Sequence, residues 1–140
     1  MKKTIKKIAC AALCAVLLFC MAAPAFAITG YEVKDQNLTY IGVRARCTSN
    51  LNTSSAIGTL SLSYLPAYSI NYLPEEDYST KVGLSVHYAI GFSLTPDDVN
   101  GGMQATNSLP HPTTQYGTLI CDAATFTYTV NSSWSYQKTF

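Results

Sequence analysis

Every second residue from Val82 to Leu94 is apolar: Val82, Leu84, Val86, Tyr88, Ile90, Phe92 and Leu94 fall on one face, against Gly83, Ser85, His87, Ala89, Gly91 and Ser93. A period of two is the mark of a strand with one buried face, because a helix would scatter these residues around its axis. Fully extended, the segment would span about 43 Å, well beyond an ordinary strand, so a bend or bulge is expected near Gly83 or Gly91.

Other stretches repeat the pattern. Ile41, Val43, Ala45 and Cys47 alternate with Tyr40, Gly42, Arg44 and Arg46, which puts Cys47 on the core-facing side. Further strands are expected at Ala56–Tyr64, Tyr116–Cys121, Thr125–Val130 and Trp134–Phe140, the last following an Asn131-Ser132-Ser133 turn. Residues 28–140 hold 13 Ser, 15 Thr and all ten Tyr, a composition that favours strands over helices. The expected fold is all-β, a small antiparallel β-sandwich with a small β-barrel as the alternative. Thr95-Pro96-Asp97-Asp98 has the cap, proline and acids of a helix start, ended by Gly101-Gly102, and Asp97–Thr114 is expected to be the longest irregular loop.

The N-terminus has a different character. Lys2, Lys3, Lys6 and Lys7 precede an apolar stretch from Ile8 to Ala22, then Pro24 and Ala25-Phe26-Ala27. That is the three-part order of a cleaved secretory signal, with cleavage expected after Ala27 and Ala25 and Ala27 as the small residues signal peptidase reads. It resembles bacterial secretory precursors over residues 1–27, a resemblance that implies export and nothing about activity. The expected organisation is a signal peptide helix in 1–27 and a single β-rich domain in 28–140, released outside the cell. The alternatives are a retained anchor, for which the apolar run is short, and a lipid attached at Cys20, which Phe19 disfavours.

Removing the leader changes the charge. Lys34, Arg44, Arg46, Lys81 and Lys138 remain against eight acids, a net charge of −3 where the whole chain has +1. No basic stripe exists, which argues against nucleic acid and against docking on anionic lipid through charge. Only Cys47 and Cys121 remain of five cysteines, and an exported pair is expected to form a disulfide contributing roughly 4 kcal/mol in the chain-entropy model.

Tyr64-Leu65-Pro66-Ala67-Tyr68 is echoed by Tyr72-Leu73-Pro74 and followed by Glu75-Glu76-Asp77-Tyr78. Tyr64, Tyr68, Tyr72 and Tyr78 are the candidate ligand-binding residues, since tyrosine offers a flat apolar face and a hydroxyl suited to sugar rings or peptides. The competing view is that tyrosines cover strand edges while prolines stop strand pairing. Glu75, Glu76 and Asp77, or Asp97, Asp98 and Asn100, supply oxygens of the kind calcium takes, but consecutive acids on an extended chain point apart and follow no EF-hand spacing. His87 and His111 are the only histidines, and with no Gly-x-Ser-x-Gly or His-Glu-x-x-His motif they select no catalytic site. The sequons at Asn37, Asn52 and Asn131 are read as turn chemistry.

No metal or cofactor is implied. The reading that follows is a small secreted non-enzymatic binding domain for a carbohydrate or protein ligand at the cell surface. A secreted membrane-active toxin or bacteriocin-like protein is the alternative, resting on the Val82–Leu94 alternation, which a bilayer-spanning hairpin would share. A secreted hydrolase comes third.

Overall fold

The computed structural model describes residues 27–66 and 72–140. Residues 1–26, with Cys20 and Ala25 of the expected signal, and the segment 67–71 holding Tyr68 lie outside the described residues. Among the described residues eleven strands follow one another: β1 Gly30–Leu38, β2 Val43–Leu51, β3 Ser55–Tyr64, β4 Thr80–Tyr88, β5 Phe92–Leu94, β6 Val99–Gly101, β7 Gln104–Pro110, β8 Thr113–Thr114, β9 Gly117–Thr118, β10 Cys121–Val130 and β11 Trp134–Thr139. One sheet runs β1-β2-β3-β7 and the other β11-β10-β4-β5, with β6 also paired to β4. All pairings are antiparallel. The sheets stack as a sandwich and do not close into a barrel.

The core fills from the alternating faces. Val43, Ala45, Cys47 and Leu51 of β2 and Ala56, Leu60 and Leu62 of β3 meet Val82, Leu84, Val86 and Tyr88 of β4 and Phe126, Tyr128 and Val130 of β10, all of them buried. At Gly58 a side chain would meet Phe126, Val82 and the Tyr128 hydroxyl at 3.0–3.2 Å, so glycine there lets the sheets approach. Tyr128 crosses the gap, donating to the Thr48 carbonyl at 2.8 Å and meeting Ser49 Oγ at 2.7 Å. Tyr88 does the same at one end, its hydroxyl 3.0 Å from His111 Nδ1. Both buried phenols are thereby satisfied, as an apolar interior requires.

The long alternating segment is two strands. β4 ends at Tyr88 and the chain reverses at Ala89-Ile90-Gly91, with Gly91 at φ +100, into β5. A bend or bulge was expected near Gly83 or Gly91; the bend lies at Gly91 and is a full hairpin. Its partners Tyr88↔Phe92, His87↔Ser93 and Val86↔Leu94 differ by even numbers, and paired residues share a face. A reversal in that register leaves a period of two uninterrupted, which is why the turn is invisible in the pattern.

Three other expectations are corrected. Thr95–Asp98 forms no helical turn, and the supposed irregular loop contains β6 and β7. Gly101 makes that path possible: a Cβ there would lie 1.9 Å from the Gln104 carbonyl oxygen, at the corner where the chain leaves the β4 sheet for the β3 sheet. Tyr116–Cys121 is likewise no single strand; Tyr116 sits in the tip of the β8–β9 hairpin. The only helical element among the described residues is a 3-10 turn, Glu75–Asp77.

One long side is zipped between the two edge strands. Lys138 of β11 donates to Glu32 of β1 at 2.6 Å, Tyr136 donates to the same carboxylate, and the Phe140 ring lies where a Gly30 side chain would be. Hydrogen bonds from Lys138 first and Tyr136 second hold the Glu32 carboxyl below its ordinary range. The reciprocal bond pushes the Tyr136 phenol up to about 12.

Candidate functional site

Three of the four candidate tyrosines gather at one end of the sandwich. Tyr64 closes β3 on its inward-facing parity but overhangs the sheet, so its ring is 51 % exposed. Tyr72 packs edge-on against it, centroids 5.3 Å apart at 84°, and is 44 % exposed. Together with Leu73 they line an open groove of about 370 Å³.

Tyr78 is not a surface residue, as the sequence reading had it, but the strut beneath. It is buried, packs on Tyr64 at 6.1 Å, donates its hydroxyl to the Ile41 carbonyl at 2.6 Å and accepts the Leu73 N–H at 2.9 Å. The Leu65 N–H donates to the Gly42 carbonyl at 2.9 Å, and the Tyr72 hydroxyl donates to the Leu65 carbonyl. Each exposed ring therefore rests on groups fixed by hydrogen bonds, which lowers the entropy lost when a ligand stacks on it. Loss of water around Tyr64, followed by the negative charge of Glu75, raises its phenol above the ordinary value, leaving a neutral hydroxyl at physiological pH.

The acids near the groove do not form a cation cage. Glu75, Glu76 and Asp77 lie exposed around one 3-10 turn, and Asp98 faces Lys81 at 3.7 Å. Among the described residues no three His, Cys, Asp or Glu side chains come close enough to hold a metal ion.

The cysteines stand differently from expectation. Cys47 and Cys121 are free, buried thiols, and the disulfide expected between them is not formed. Tyr128 reaches across to Thr48 and Ser49, next to Cys47, whereas Cys121 opens β10 about 20 Å of strand before Tyr128. A disulfide needs Cα atoms within about 7 Å. The sequence showed that both residues face inward but not their level along the strands. Burial pushes the Cys47 thiol up to about 12 and raises Cys121 as well, so neither is a thiolate at neutral pH.

The histidines are also committed. His87 lies on the outer face of β4 paired with Asp122, while Cys121 points into the core from the same sheet. The sheet itself separates base from thiol. His111, expected in a loop, is buried: it meets the Asn52 carbonyl through Nε2 at 3.0 Å and the Tyr88 hydroxyl through Nδ1. A carbonyl only accepts, so Nε2 carries the proton and Nδ1 accepts from Tyr88.

The outer face of the β4 sheet holds a smaller trough of about 230 Å³ floored by Gly83 and bordered by Thr127 and the Lys81–Asp98 pair. It offers hydroxyls but no aromatic face, and its two charges answer each other. Comparison with protein-family models, curated proteins and solved structures finds no match to this chain.

Proposed function

We propose that the protein is a small secreted, non-enzymatic binding domain whose ligand is a carbohydrate seated in the Tyr64–Tyr72 groove. The observation that carries this reading is the pair of half-exposed rings at 84°, held from below by Tyr78. One ring serves as a platform for the apolar face of a sugar and the other as a wall, and the Tyr64 hydroxyl complements a ligand rich in hydroxyl groups. Export with cleavage after Ala27 supports a ligand outside the cell. The committed states of His87, His111, Cys47 and Cys121 give no support to a hydrolase.

A glycan array probed with the processed protein, followed by calorimetry on the best ligand, tests the proposal. Tyr64→Ala and Tyr72→Ala should each weaken binding about tenfold or more, the loss expected of a central aromatic anchor. An affinity unchanged by both substitutions sinks the groove. Binding of a protein ligand that the same substitutions abolish would replace the sugar by a peptide surface.

A further inference from the structure

Away from the groove, β1 is the longest strand among the described residues with an open flank. The backbone groups of Arg44, Arg46, Thr48 and Asn50 turn toward β3, because the bonds from the Leu65 N–H to the Gly42 carbonyl and from the Asn52 N–H to the Ser55 carbonyl bracket that ladder. Val43, Ala45, Cys47, Ser49 and Leu51 therefore bond to β1, where they face Leu38, Gln36, Lys34, Glu32 and Gly30. The alternate residues Tyr31, Val33, Asp35 and Asn37 turn their N–H and C=O groups to the open flank, and those N–H groups meet no acceptor among the described residues. β11 covers this flank through side chains alone, by way of Glu32.

Such an edge attracts other strands unless it is guarded, and charges on the inward parity of an edge strand are one such guard. Glu32 and Lys34 stand there. Glu32 is held by Lys138 and Tyr136, whereas Lys34 is exposed and has no acidic partner among the described residues. On the outward parity, Tyr31 is 67 % exposed and Val33 43 % exposed.

The same charges select the one pairing the edge tolerates. Only alternate residues offer hydrogen-bonding groups outward, so a two-fold axis relating two antiparallel copies of β1 must pass through a residue, which then faces itself. An axis at Glu32, Lys34 or Asp35 sets like charges against each other, which is unfavourable across a strand pair. Axes nearer either end of the strand pair five residues or fewer. With the axis at Val33, Gly30–Gln36 of both copies pair, and Glu32 faces Lys34 of the second copy on both sides of the axis. Val33 then meets Val33, and Tyr31 lies across from Asp35.

We propose that β1 is a dimer interface, pairing antiparallel with β1 of a second copy of this chain about an axis through Val33. Tyr31, Val33 and Asp35 each exchange two N–H···O=C bonds with their facing residues, Lys34 gains a carboxylate, and the exposed valines cover each other. The contact is self-complementary and closes at two copies, joining the two β1-β2-β3-β7 sheets into one continuous sheet. The axis turns one copy end for end, so the Tyr64–Tyr72 grooves stand at opposite ends of the pair. The proposal does not depend on what those grooves bind.

Sedimentation of the processed protein over a range of concentrations, together with cysteine crosslinking, tests it. A dimer whose fraction rises with concentration is expected, and Lys34→Glu should raise its dissociation constant about tenfold by setting two acids against each other on both sides of the axis. Val33→Cys should form an intermolecular disulfide on mild oxidation, since hydrogen-bonded facing residues have Cα atoms about 5.5 Å apart, within disulfide reach. Tyr31→Cys faces Asp35 in this register and should not crosslink; Cys47 and Cys121 are buried and do not compete. Melting of both cysteine variants and of Lys34→Glu at the wild-type temperature in dilute solution excludes loss of fold. Tyr64→Ala should dimerise as the wild type does, which separates this result from the fate of the groove. A monomer at every concentration overturns the proposal, as does a dimer that Lys34→Glu leaves intact, or crosslinking of Tyr31→Cys as fast as Val33→Cys.

Discussion

The two ends of the sandwich use the same residue type in opposite ways. At one end Tyr72 and Tyr78 spend their hydroxyls on backbone carbonyls, and Tyr64 leans on both rings; the surface is aromatic, fixed from below and flanked by Glu75, Glu76 and Asp77. At the other, Tyr116 projects from a hairpin tip with its ring almost wholly in water, beside Ile90 and far from any unpaired charge. A tyrosine held by hydrogen bonds can present a shape to a ligand. A tyrosine on a bare tip presents area alone.

The largest effect expected from this contrast comes from the strut. Tyr78→Ala removes a buried ring and leaves the Leu73 N–H without its acceptor, and should destabilise the domain by about 3–5 kcal/mol in urea unfolding. A cost below about 1 kcal/mol would mean that the groove end is no more rigid than the apolar end. The apolar end has its own buried tie, of lesser weight. His111→Ala strands the Asn52 carbonyl and the Tyr88 hydroxyl, with about 1–3 kcal/mol lost by the same measurement.

Acid should act on neither end first but on the side joining them. The Glu32 carboxyl titrates lower in the folded protein than unfolded, so its stabilisation is complete above the unfolded value of about 4.3 and is lost as pH falls through the folded value. Hydrogen exchange of β1 and β11 amides should accelerate below that pH while β2 and β10 stay protected, and Glu32→Gln should remove the dependence. Faster exchange at the groove or at Ile90 before β1 would contradict this order. The smallest effect is expected for Ile90→Ser, within about 0.5 kcal/mol of wild type, because the side chain is outside the core. A larger loss would show that the tip supports the fold.

Legibility in the sequence followed burial. β2, β3, β4 and β11 were visible because each alternates at the surface of one core. β1 was not, since as an edge strand it exposes Val33, Lys34, Asp35 and Gln36 in succession, and the side chains that tie it to β2, Asp35 to Arg46 and Asn37 to Arg44, are polar and leave no alternating pattern. β7 hid behind polar residues, and Gly101 gave the only local sign that the chain turns a corner there. At the candidate site Tyr64 and Tyr72 were legible as aromatics near prolines, but Tyr78 was misread because its burial comes from Ile41 and Tyr64, distant in sequence. The same non-local information separates Cys47 from Cys121 and buries His111 between two prolines. Ile90 stayed concealed because the parity of the hairpin makes an exposed tip look like one more buried position.

The side zipped by Glu32 has a kinetic consequence. Its partners Tyr136 and Lys138 stand 104 and 106 positions further along the chain. Such a contact closes a loop nearly as long as the domain, and topologies dominated by such closures fold in milliseconds to seconds rather than microseconds. Until β11 arrives, β10 and β1 both keep an open flank, and the chain remains an unfinished ribbon. The β11 strand thus acts as a latch on the clock of assembly.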